Sequence, residues 1–87
     1  MVYLISYDLN KPGQDYPKLY ETIKGMGGWW HHLDSTWLVD TSLSAVQIRD
    51  QLAAVIDSGD HVLVVSFGSS WASSITKKAN EWIRDHT

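Results

Sequence analysis

Asp8 closes the apolar run Val2 to Leu9, "VYLISYDL". A carboxylate at a strand end can bind a hard cation such as Mg²⁺. One carboxylate is too few for a metal site, so a two-fold partner would have to bring a second. The alternative is an aspartate that caps the following turn, "LNKPG", through its own side chain. The other concentration of chemical side chains is "GGWWHHLDSTWLVD", Gly27 to Asp40, which carries Trp29, Trp30, Trp37, His31, His32 and Asp34. A histidine here could act as a general base, because its ordinary pKa lies near neutrality. The tryptophans could stack on nucleic-acid bases, helped by the adjacent cations Lys77 and Lys78.

Strand geometry limits these ideas. Neighbouring strand residues point to opposite faces. His31 and His32 therefore cannot grip one metal together, and neither H-x-H nor H-x-x-x-H spacing occurs for zinc. Trp29 and Trp30 are split in the same way, so at least one is expected in packing or an interface rather than on a stacking surface. Ser69, Ser70, Ser73 and Ser74 lack a G-x-S-x-G turn and read as loop residues and helix caps. "GMGG" follows a helix and lacks the phosphate-loop pattern.

The elements that must position these residues are legible along the chain. Val2 to Leu9 reads as a strand. "NKPGQD" reads as a loop punctuated by Pro12-Gly13. A helix should start at Asp15 or Tyr16, with Pro17 in its first turn. Leu19, Tyr20, Ile23 and Met26 lie on its apolar face, and Gly27-Gly28 stops it. Trp29 to Leu33 and Thr36 to Asp40 read as a hairpin across "DS". Ser44 and Gln47 form a capping box that opens a second helix, with Ile48, Leu52, Val55 and Ile56 on one face and Gly59 at its end. His61 to Phe67 is a fourth strand. A third helix is expected over about 71–85, with Trp71, Ile75, Ala79 and Trp82 sharing a face.

This β-α-β-β-α-β order plus one helix predicts a single α+β domain over 1–87, ferredoxin-like, with an antiparallel sheet and its core in about 1–67. The first and fourth strands are each apolar on both faces: Tyr3, Ile5 and Tyr7 point one way in the first and Val2, Leu4 and Ser6 the other, while in the fourth Val62 and Val64 face one side and Leu63, Val65 and Phe67 the other. The two crossover helices cover one face only. The C-terminal helix, a second subunit, or both must cover the other. A homodimer is expected, packed through the open sheet face or the C-terminal helix.

Composition narrows the function classes. At 87 residues and 44% hydrophobic, the chain can bury a core, so disorder is excluded. It has no cysteine, which excludes disulfides and thiolate metal sites. The start lacks signal-peptide character, and no apolar run reaches membrane-spanning length, so a cytoplasmic protein without membrane contact is expected. The net charge is −3, with seven scattered cations, and no concentrated basic face is visible for phosphate binding.

The opening "YLISYDL" resembles the first strand of the CRISPR-associated protein 2 family, where a strand ends in Tyr-Asp and an aliphatic residue; Tyr7, Asp8 and Leu9 match. The helix, the hairpin "HHLDSTWLVD" and the segment "QIRDQLAAVIDSGDHVLVVSF" follow in that family's order, so the resemblance spans about residues 1–67. The chain is similar still more closely to small bacterial proteins described as SinR-like. Those share a tryptophan-rich hairpin and a C-terminal helix matched by Ala79, Asn80, Trp82 and Ile83. The resemblance implies a homodimer, a divalent metal such as Mg²⁺ at Asp8 across the two-fold, and either DNA holding within an assembly or nuclease activity. The chain departs from the family in ending on an amphipathic helix instead of a partner-pairing strand, and in lacking arginine-rich character. Composition and resemblance together predict a non-catalytic assembly or interaction module. A metal-dependent endonuclease using Asp8 and a nucleic-acid binder are the alternatives.

Overall fold

A computed structural model describes residues 1–10 and 16–87. Pro12-Gly13 and Asp15, expected in the loop and at the helix start, lie outside the described residues. The strands are β1 (Val2–Asp8), β2 (Gly28–Leu33), β3 (Thr36–Asp40) and β4 (His61–Ser66); the helices are α1 (Pro17–Lys24), α2 (Ala45–Ala53) and α3 (Lys77–His86). The strands form one antiparallel sheet in the order β2-β3-β1-β4. The described residues are therefore α+β, with a four-stranded antiparallel sheet and three helices. Among the described residues, no helix is long and apolar enough to cross a membrane.

Helices α1 and α2 pack on one face. Leu19 and Ile23 of α1 and Ile48 and Leu52 of α2 bury against Tyr3, Ile5, Tyr7, Trp37 and Val39. Val62 and Val64 extend this core onto β4. Ser44 opens α2 with the expected capping box: its Oγ accepts from the Gln47 amide at 3.1 Å, while Gln47 Oε1 accepts from the Ser44 amide at 2.9 Å. Two backbone donors at the helix start are thereby satisfied.

Two helix boundaries differ from expectation. Helix α2 ends at Ala53 instead of continuing to Gly59. The Val55 amide turns back to the Leu52 carbonyl at 3.0 Å, and the buried Asp60 carboxylate then takes over. It accepts from the Asp57 amide at 2.9 Å and the Asn10 amide at 2.7 Å. Val55 and Ile56 still pack on the core from outside the helix, which is why their spacing imitates a helical face. Helix α3 starts at Lys77, not near Trp71. Thr76 is its N-cap, its hydroxyl accepting from the Ala79 amide at 3.3 Å. Trp71 and Ile75 reach the apolar cluster of Ala79 and Ile83 from irregular backbone.

The hairpin turns at Asp34-Ser35, with Ser35 in the left-handed region at φ 57°. The strand before it depends on a close backbone approach. Gly27 has φ 156°, and a Cβ there would sit 2.1 Å from the Asp40 carbonyl oxygen. Gly27→Ala should therefore lower stability by about 2 kcal/mol or more, read as a lower urea midpoint. Ser44→Ala, which removes only one cap, should cost about 1 kcal/mol in the same measurement.

Candidate functional site

The hairpin residues separate by face, as strand alternation requires. Trp29 and His31 lie on the α1 side. His31 stacks on buried Trp37 with ring centroids 3.8 Å apart and planes 12° apart. Trp29 meets Trp37 at 5.5 Å, Tyr20 stacks on it at 5.9 Å, and the Lys24 ammonium lies 4.8 Å from the Trp29 ring. Trp37 Nε1 donates to the Tyr7 hydroxyl at 3.0 Å. Burial pushes the Tyr7 phenol up and the His31 imidazole down, Asp34 partly opposing the latter. Lys24 is the one cation in this group, and the aromatic rings mostly satisfy one another.

Trp30 and His32 lie on the opposite face, their rings 5.0 Å apart. The register shifts between Trp30 and Leu33, so His31 and His32 together oppose Trp37. This bulge lets one imidazole lean to each face. Trp30 is only 3% exposed and carries the second core. It packs with Val2, Leu38, Ala79 and Ile83, and its Nε1 donates to the Ala79 carbonyl at 3.1 Å. Helix α3 therefore lies across this face, held near its start by an indole. Lys77 and Lys78 sit exposed at its start, and Lys77 approaches Glu81 at 3.9 Å. Trp29, Trp30, Lys77 and Lys78 are not brought together: Trp29 faces α1, and Trp30 is buried under α3.

The far end of α3 is held by groups that sequence spacing does not reveal. His86 Nδ1 and Asp40 Oδ2 are 3.0 Å apart, and the N-terminal ammonium reaches Asp40 Oδ1 at 3.4 Å. Trp82 stacks on His86 at 3.9 Å. The His86 hydrogen bond, aided by the N-terminus and opposed by burial, holds the Asp40 carboxyl below its ordinary value. The two partners lie 46 positions apart, so only the folded sheet joins them.

Asp8 is exposed at the end of β1 and pairs in register with His61, the first residue of β4. Together with Ser6, Tyr7, Val62 and Leu63 they line a shallow depression of about 220 Å³. His61 was not singled out in the sequence, although antiparallel pairing of the first and last strands would have placed it there. Among the described residues, no three His, Asp or Glu side chains converge as a metal-binding set within one chain.

Helix α3 leaves part of its face open. Leu63 and Val65 of β4 are 60% and 45% exposed, and Val46 on α2 is 56% exposed beside the same edge. Between the Phe67–Ile75 segment and the sheet runs an apolar cleft of about 150 Å³, walled by Leu4, Trp30, Leu38 and Trp71. No protein-family model, curated protein or solved structure matches the chain.

Two outcomes test this arrangement. Trp30→Phe keeps most of the packing but deletes the bond to Ala79, and should cost about 1–2 kcal/mol. Trp30→Ala should cost about 3–5 kcal/mol, both read by chemical denaturation. The depressed Asp40 carboxyl has a definite pH signature. A lowered folded-state value gives stability that is present above the ordinary carboxylate range and lost as pH falls through the folded value. Wild-type protein should therefore exceed Asp40→Asn in stability at about pH 6, and the difference should shrink on acidification to about pH 3.

Proposed function

We propose that the chain is a homodimeric, ferredoxin-like assembly module resembling the CRISPR-associated protein 2 family, working in the cytoplasm without catalysis. The element order, with β1 between β3 and β4 in the sheet, supports the ferredoxin-like reading. The observation that carries the functional reading is the exposed apolar strip of Leu63 and Val65, on a face that α3 covers only in part. Leaving such side chains in water forfeits roughly 1.5–3 kcal/mol each, and contact with another protein surface recovers it. The net charge of −3 favours a protein partner over nucleic acid.

A second reading rests on Asp8. Its place beside His61, at the rim of an open depression, is suited to a carboxylate–imidazole pair acting on a solvent-borne substrate. In that reading Asp8 from each of two copies holds Mg²⁺, and the protein is an endonuclease.

The readings separate in two experiments. The assembly module sediments as a dimer at high micromolar concentration and leaves RNA and DNA intact with Mg²⁺ or Mn²⁺. A monomer would overturn the assembly reading. Metal-dependent cleavage that disappears in Asp8→Ala would replace it with the nuclease.

A further inference from the structure

The proposed assembly face ends at a strand edge with unusual properties. Among the described residues, strand β4 is the outermost strand on its side, with β1 as its one strand neighbour. Its register with β1 is unbroken from His61 to Ser66, so no bulge twists the edge away. It contains neither proline nor lysine. Natural edge strands are ordinarily blunted by such devices, because their free amides and carbonyls invite another strand.

The direction of each backbone group follows from the ladder. The Phe67 amide donates to the Val2 carbonyl at 2.8 Å. Antiparallel residues alternate between bonded and non-bonded pairs. Val65, Leu63 and His61 therefore direct their backbone groups to β1, while Val62, Val64 and Ser66 direct theirs outward. The three outward residues are evenly spaced about Val64.

We propose that β4 pairs antiparallel with β4 of a second copy, about a two-fold axis at Val64. This rests on the assembly reading and names its partner and geometry. Val64 then bonds its own counterpart, and Val62 bonds Ser66 of the other copy in both directions. No other two-fold register engages all three outward residues with one another. The two sheets become one of eight strands.

Side chains on both faces fit this register. On the α3 side, Leu63 comes opposite Val65 of the other copy, and Val65 opposite its Leu63. The two most exposed side chains of the strip thus close into a four-residue apolar cluster. On the helix side, Val46, Arg49 and Asp50 share one face of α2, and Val46 and Arg49 line the groove along β4 with Val62 and Val64. Arg49 and Asp50 are both exposed and lie 2.8 Å apart. Each copy therefore brings both a cation and an acid to this edge. Strand β4 itself carries no acid, lysine or arginine, so like charges do not meet across the pair.

Cross-linking in the full chain tests the register, since there is no native cysteine. Leu63 and the opposing Val65 would form a non-bonded pair, close enough for a disulfide. A mixture of Leu63→Cys and Val65→Cys chains should give a covalent dimer on mild oxidation, whereas either variant alone should give little. Efficient cross-linking of either variant alone would overturn the register. Leu63→Lys/Val65→Lys should sediment as a monomer with unchanged circular dichroism and near-wild-type thermal midpoint. A dimer that survives that double substitution would overturn the β4 interface while leaving the assembly reading intact. A monomeric wild-type protein would overturn both.

Discussion

The structure turns on a mismatch between a sheet that is apolar on two faces and a chain order that covers only one. Both crossover helices, α1 and α2, return to the same side of the sheet, where they bury Tyr3, Ile5, Trp37 and Val39. The opposite side of β1 and β3 is just as apolar, through Val2, Leu4 and Leu38. Hydrophobic burial is non-directional and scales with area, so this second face must find a cover. Helix α3 supplies part of it, centred on the Trp30 indole and its bond to the Ala79 carbonyl.

Helix α3 covers this face only in part, leaving Leu63 and Val65 of β4 exposed. Its position is set at one end by Trp30 and at the other by the contact of His86 with Asp40. Both anchors lie toward β2 and β3. The uncovered part is thereby displaced to β4, which is also the strand edge. The coincidence of an open face with an open edge distinguishes this side of the molecule. An apolar strip alone would fit many partners. An apolar strip flanking free backbone groups fits another strand, and the symmetry of Val62, Val64 and Ser66 suits a copy of itself.

Much of this was legible in the sequence. The double apolar character of the strands was visible from alternation alone, and so was the need for a second cover. Strand geometry also dissolved the apparent cluster of tryptophans and histidines into two faces, where the structure places them. The helix ends were less legible. Val55, Ile56, Trp71 and Ile75 continue a helical spacing, but they pack from turns and irregular backbone. Periodicity records which side of the chain is buried, not which backbone carries it. Asp60 could not have been picked out, because its role depends on amides from Asn10 and Asp57 being gathered around it by the fold. The same holds for Asp40 and His86, which local spacing cannot connect.

Amide hydrogen exchange followed residue by residue along β4, at high and low protein concentration, tests the central claim most directly. Leu63 and Val65 donate inward to β1 and should be protected at both concentrations. The Val62, Val64 and Ser66 amides should be protected at high concentration and lose that protection on dilution. Rapid exchange at those three amides at every concentration would contradict the account.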